Sequence, residues 1–325
     1  MNQRTALYEL AARHRLDSGS IRELHRLARL DAEPVGLAAW LPRGIGALAA
    51  GLAGLGVVLW VAANWDALGR LGQFALLQGL FLALCVGALA VPAARASLGL
   101  LALLVLGGLL AYFGQTYQTG ADPWQLFALW AGLCLPLCLA ARSDVVWAPW
   151  ALVAMTAVTL WLQSRAGSAW RVGPNDLALH AQAWAAAALL AVGLSPALRP
   201  FTGAGVWAMR TAITLAVVLV TLSAVAALFS RGVAPHYWLG LLAVGGAAVV
   251  LALPWAFDVY ALSAVALALN TLLVSGLGHW LLDDHHGGDP IGQLLVLGIA
   301  AAGLLATTVS VILGLVRRYG RGGSL

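Results

Sequence analysis

Apolar residues run in long blocks from Gly44 to Val316, separated by short breaks that carry polar residues, Gly or Pro. About 20 consecutive apolar residues cross the hydrocarbon core of a bilayer as a helix. Ten blocks suit that length: Gly44–Ala63, Leu71–Val91, Leu98–Phe113, Gln125–Ala141, Val145–Gln163, Leu177–Ser195, Thr211–Phe229, Tyr237–Ala256, Val259–Leu282 and Gln293–Val316. The pattern predicts an all-α, polytopic transmembrane helix bundle of about ten spans. The third block is short, so its helix either tilts little or begins earlier. Small residues at four-residue spacing, Ala47 with Gly51, Ala50 with Gly54 and Gly298 with Ala302, suit close helix contacts in lipid. Gly107-Gly108 loosens the third span, and Pro136 and Pro149 bring kinks to the fourth and fifth.

The first 43 residues have a different texture. Leu7, Leu10, Ala11 and His14 share one face of a short helix, and Asp17-Ser18-Gly19-Ser20 reads as a turn. Ser20 and Glu23 have capping-box spacing, followed by an apolar stripe of Ile21, Leu24, Leu27 and Leu30 opposite Arg22, Arg26 and Arg29. This predicts a helical hairpin lying on the membrane or docked on a partner. Its core is too small for a free-standing DNA-reading unit, and no nucleic-acid partner is expected. No apolar core of a cleavable leader precedes the first span, so that span is expected to direct insertion itself. The resulting division is an amphipathic cytoplasmic segment, 1–43, a transmembrane domain, 44–316, and a basic cytoplasmic tail, 317–325.

All 18 basic residues are Arg, and their placement predicts sidedness. With both termini in the cytoplasm, the inner segments hold Arg4, Arg13, Arg15, Arg22, Arg26, Arg29, Arg43, Arg95, Arg142, Arg199, Arg210, Arg317, Arg318 and Arg321. The outer segments hold Arg70, Arg165, Arg171 and Arg231. Tryptophans fit the same frame at the headgroup level: Trp60, Trp65, Trp124, Trp161, Trp238 and Trp280 near outer ends, and Trp40, Trp147, Trp150, Trp207 and Trp255 near inner ends. Trp130 lies deeper.

Composition strengthens this picture. Hydrophobic residues make up 62% of the 325 and charged residues 10%, with a mean hydropathy of +0.88; a soluble domain carries about 25% charged residues. The net charge of +5 suits anionic lipid, and seven of the 18 Arg lie in the first 43 residues. Cys85, Cys134 and Cys138 all lie in apolar blocks and read as small hydrophobes in helix contacts.

Two polar stretches stand out, both emerging on the outer side: Asn64-Trp65-Asp66 after the first span, and Gly114 to Trp124 between the third and fourth. Asn64, Trp65, Asp66, Gln115, Tyr117, Gln118 and Asp122 form a candidate outer-face cluster that either caps helix ends or lines a small polar cavity. His279, Asp283, Asp284, His285, His286 and Asp289 combine imidazole and carboxylate, but their spacing matches no metal motif and Gly287-Gly288 with Pro290 favours a solvated loop. No metal or other cofactor is expected. Ser275 and His279 share a helix face without a third activating group, and no metalloprotease, nucleophile-elbow or phosphate-loop motif is present.

The polar stretches also carry a resemblance. Ala63-Asn64-Trp65 closing a glycine-rich first span, with Gln115-Thr116-Tyr117-Gln118 and Leu126-Phe127-Ala128-Leu129-Trp130, resembles uncharacterised bacterial membrane proteins grouped as domain of unknown function twenty-one fifty-seven. The resemblance covers the first half, to about Leu139, and implies an integral membrane protein without lending an activity. The spans lack ionisable groups at mid-depth, where Asn270 is the most central amide and His180 is near an end; ion-coupled transporters generally need such groups. The expected function is therefore a non-enzymatic, multi-pass component of the bacterial inner membrane that supports or binds a membrane partner, with self-association as one form of this. The rival reading is a transporter or channel for a small uncharged solute, with an outer vestibule at Asn64, Asp66, Gln115, Tyr117 and Gln118 connected to Asn270.

Overall fold

A computed structural model of the chain describes residues 9, 12–14, 16–17, 19–21, 23, 37–63, 65–117, 120–166, 172–173, 175–230, 235–282 and 290–320. It is all-helical over the described residues: α1 (Leu37–Ala63), α2 (Trp65–Ala90), α3 (Arg95–Tyr117), α4 (Pro123–Ala141), α5 (Asp144–Ala166), α6 (Leu177–Gly193), α7 (Arg199–Thr202), α8 (Val206–Leu228), α9 (Pro235–Leu251), α10 (Val259–Leu282) and α11 (Pro290–Gly320). Every expected span falls on a helix. Among the described residues, eight helices are long and apolar enough to cross a membrane: α1, the part of α2 from Gly69, α3, α4, α5, α8, α10 and α11.

The other two are shorter, for local reasons. α6 has 17 residues and bends by 54° into the segment containing α7, where Pro196 starts a 3₁₀ turn. α9 stops at Leu251 instead of continuing to Ala256, because Pro254 lacks a donor and disfavours helical backbone at the residue before it. α3, expected to be short, has 23 residues. It starts at Arg95 directly after a 3₁₀ turn at Pro92–Ala94 and runs through the polar Gln115 and Thr116. α2 contains a break at Gly69 (φ 60°, ψ 163°), a backbone conformation open to glycine but strained for L side chains.

The chain divides into two compact units, Met1–Ala49 and Ala50–Leu325. In the first, Gly19 and Ser20 are helical, so the expected turn is already the start of a helix. Asp17 caps it: Oδ1 accepts the Ser20 amide at 3.2 Å and Oδ2 the Gly19 amide at 3.3 Å. The Ser20–Glu23 capping box is thus superseded, since a carboxylate placed three residues earlier is the stronger acceptor for the orphan donors. The rest of the expected stripe, Leu24, Leu27 and Leu30 with Arg22, Arg26 and Arg29, lies outside the described residues, as do Leu7, Leu10 and Ala11.

Hydrogen bonds from the Ser20 side chain and amide, then from the Gly19 amide, hold the Asp17 carboxyl below the ordinary carboxylate range. A depressed folded value means the cap contributes fully above the ordinary value and is lost as pH falls through the folded one. The amide signals of Gly19 and Ser20 are expected to shift together on acidification below that range, measured by NMR; Asp17→Asn should remove the titration.

In the second unit α8 is the central helix, packed against α5, α6, α9 and α10, while α3 packs against α2, α4 and α5. Without a hydrophobic drive between helices in lipid, close approach and interhelical hydrogen bonds hold such a bundle together. Gly240 lets α9 approach Ala224 of α8, and Gly54 meets Leu101 and Leu104 of α3. Gly51 and Gly298 face open space, so those two small-residue pairs make no tight contact within this unit. Trp147 and Trp150, in the first two turns of α5, turn toward the protein. Both are buried, donating to the carbonyls of Thr202 at 3.0 Å and Ala131 at 2.8 Å. Trp40, Trp207, Trp238, Trp255 and Trp280 are exposed.

Candidate functional site

The break between α3 and α4 carries part of the candidate polar cluster. Pro123 occupies the first position of α4 and Asp122 its N-cap. The Asp122 carboxylate does not bond a backbone amide; its Oδ2 accepts the Trp124 indole N–H at 3.3 Å. Gln115 is exposed in the last turn of α3. Together with Gln125, these residues rim a groove of about 640 Å³ whose floor is apolar, formed by Leu110, Phe113, Leu126 and Leu129.

Tyr117 belongs to an aromatic group instead. Its ring centroid lies 4.8 Å from Phe113 and 5.8 Å from Phe74. Beneath them Gln73, 1% exposed, accepts the Tyr112 hydroxyl at 2.5 Å. Gln73 is a buried polar anchor without a sequence signature, because a lone Gln near a helix end carries no pattern. Asn64 and Gln118 lie outside the described residues, and nothing is described of the Trp65 and Asp66 side chains. The structure therefore brings together Gln115 and Asp122, and sets Tyr117 among the aromatic rings.

Other polar groups are dispersed. His180 and His236 stack edge-on with centroids 4.7 Å apart. His180 Nδ1 bonds the Asp176 carbonyl at 2.9 Å, while His236, fully buried, has no hydrogen bond of ordinary geometry among the described residues. Asn270 accepts from Thr308 of α11 at 3.1 Å, and its amide nitrogen is buried without a partner among the described residues. The groove at Gln115 and Asp122 is lined by residues of α3, α4 and their connection, and does not reach Asn270.

Among the described residues no three His, Cys, Asp or Glu side chains are placed to hold a metal. His279 is the last-turn histidine of α10; Asp283, Asp284, His285, His286 and Asp289 lie outside the described residues. Gly276, between Ser275 and His279, makes room for the Tyr237 hydroxyl, which donates to the Leu272 carbonyl at 3.0 Å. The small residue there is a packing device joining α9 to α10.

Several apolar helices of bilayer length, joined by short connections, define an integral membrane protein. Residues 8–147 match the family model described as Predicted membrane protein (DUF2157). The match includes the Asn64 and Gln115 stretches that carry the resemblance, and ends within α5. No curated protein and no solved structure matches the chain.

Proposed function

We infer that the protein is a non-enzymatic component of the bacterial inner membrane that holds a membrane-protein partner at the groove between α3 and α4. The observation behind this reading is the groove itself: an apolar floor of about 640 Å³ with amide and carboxylate groups confined to its rim. Such a surface suits a partner that inserts an apolar side chain and donates hydrogen bonds to Asp122 and Gln115. Phe113 within the groove and the neighbouring Tyr117, both exposed, supply the aromatic area that interfaces favour. In this reading the chain crosses the membrane ten times with both termini inside, α6 and α9 being short spans, and the Arg-rich connections face the cytoplasm. Solute passage is the weaker reading, since the groove stops short of Asn270.

The test is a photo-crosslinking residue in place of Leu126, activated in intact cells. A discrete adduct of one other membrane protein is expected, weakened about tenfold by Asp122→Arg, which corresponds to about 1.4 kcal/mol. Adducts with lipid alone, together with solute flux through liposomes holding the purified protein, would move the assignment to transport.

A further inference from the structure

At the opposite end of α2 and α4 a second crevice has a different chemistry. It occupies about 250 Å³ between the C-terminal halves of these two helices. Its walls are apolar, with Phe81, Cys85 and Leu89 on one side and Leu133 and Leu137 on the other. Among the described residues, the charged group lining it is Arg95, the first residue of α3.

The Arg95 side chain is held in place by a defect in the backbone. Pro92 has no N–H, so the Ala88 carbonyl, four residues earlier, lacks its helical donor. Arg95 Nε supplies the missing donor at 3.3 Å. That bond uses one edge of the guanidinium and fixes its plane. The terminal nitrogens Nη1 and Nη2 have no hydrogen bond or ion pair among the described residues, where the ion pair found is Arg210 with Asp258. A permanently charged fork thus borders an apolar crevice, with no counter-charge among the described residues.

We propose that this crevice is a binding site for one anionic phospholipid, with an acyl chain between α2 and α4 and the headgroup phosphate on the Arg95 guanidinium. Charge complementarity selects the occupant: a planar fork whose terminal edge, Nη1 and Nη2, is not engaged among the described residues suits the oxygens of a phosphate. The apolar walls select a lipid over free phosphate, which would leave them empty. Anionic lipids crowd the cytoplasmic leaflet, where the sidedness proposed above puts Arg95; only the leaflet, and not the lipid class, rests on that sidedness.

The test is native mass spectrometry of the full-length protein, titrated with phosphatidylglycerol or phosphatidylcholine of identical chains. One phosphatidylglycerol is expected to bind in preference to phosphatidylcholine and to persist when inorganic phosphate is added. Arg95→Gln should lower its affinity about five- to tenfold, the effect of one interfacial arginine. Arg95→Lys keeps the charge but not the fork and should retain only part of the preference, and Leu133→Trp, which fills the exposed wall, should weaken both lipids alike. Arg318→Gln, at the end of α11, controls for general interfacial charge and should leave binding unchanged. Equal losses from Arg95→Gln and Arg318→Gln would overturn the site in favour of unspecific attraction, and so would no loss from Arg95→Gln in a protein with unaltered thermal unfolding. Displacement of the lipid by inorganic phosphate would overturn it too, showing an anion site without a lipid requirement.

Discussion

Gly107→Ala is expected to destabilise the protein by about 2–3 kcal/mol, the range for overpacking a close contact. In an ordinary helix this exchange is favourable, because alanine has less backbone entropy to lose. Here the added Cβ would overlap the indole of Trp130, which lies across α3 at that point. The ring cannot easily withdraw. Its N–H donates to the Leu103 carbonyl at 2.9 Å, one turn before Gly107, and Phe127 packs beside it with centroids 5.8 Å apart.

Two comparisons isolate the cause. Gly132 of α4 has open space where its Cβ would be, so Gly132→Ala should be neutral or stabilising. Trp130→Phe removes the hydrogen bond but shortens the ring, so Gly107→Ala in that background should cost much less. The coupling between the two sites should reach about 1–2 kcal/mol in a double-mutant cycle. The measurement is reversible unfolding in mixed micelles of increasing denaturing-detergent content. Simple additivity of the two substitutions would show that the ring and the glycine are not in contact.

This contact also changes the reading of two sequence features. Gly107-Gly108 suggests a loosened span, and Trp130 stands out as a tryptophan too deep for the headgroup belt. The structure makes them halves of one device: the glycine opens the space that the indole fills, and a backbone carbonyl satisfies the indole N–H. Trp147 and Trp150 follow the same logic, their polar tips turned to carbonyls inside the protein. Position along a span is visible in sequence, but the direction a ring faces is not.

The spans themselves were legible because bilayer thickness imposes a length and lipid imposes a composition on every residue between two breaks. Within the outer cluster, the break at Asp122-Pro123 announced the start of α4, but the groove depends on how α3 and α4 lean on one another. That arrangement depends on residues such as Gly107 and Trp130, whose pairing across 23 positions has no local signature. Arg95 is visible in the sequence as a charge between two spans; that Pro92 leaves a carbonyl for it to fill emerges only when helix α2 is seen to end there.

Asp144 shows the same limit at its strongest, and carries the second large effect. A lone acid beside Ser143 carries no sequence pattern, and its partners lie more than 60 positions away. Oδ1 accepts the amides of Gly205 at 2.7 Å and Ala208 at 3.2 Å, and Oδ2 that of Trp207 at 3.0 Å. These are the orphan donors at the start of α8, whose own N-cap residue, Gly205, has no side chain to serve them. A side chain there would overlap the Asp144 carboxylate, so the cap is supplied from the start of α5. The same end is reinforced by Arg142, in left-handed backbone (φ 48°), which donates to the Pro200 carbonyl at 2.7 Å. Asp144→Ala strands three amides next to the central helix and is expected to cost about 2–3 kcal/mol, a charged cap with more than one bond. Asp144→Asn keeps the oxygen able to serve Gly205 and Ala208, and should cost about half as much. Gly205→Ala should resemble Asp144→Ala, and the double variant should be scarcely worse than either, since both remove one interaction. Hydrogen exchange gives the discriminating readout: in Asp144→Ala the amides of residues 205, 207 and 208 should lose protection before the middle of α8 does. Unchanged protection at those amides would mean that water or another group caps α8, and that the α5–α8 junction is held by packing alone.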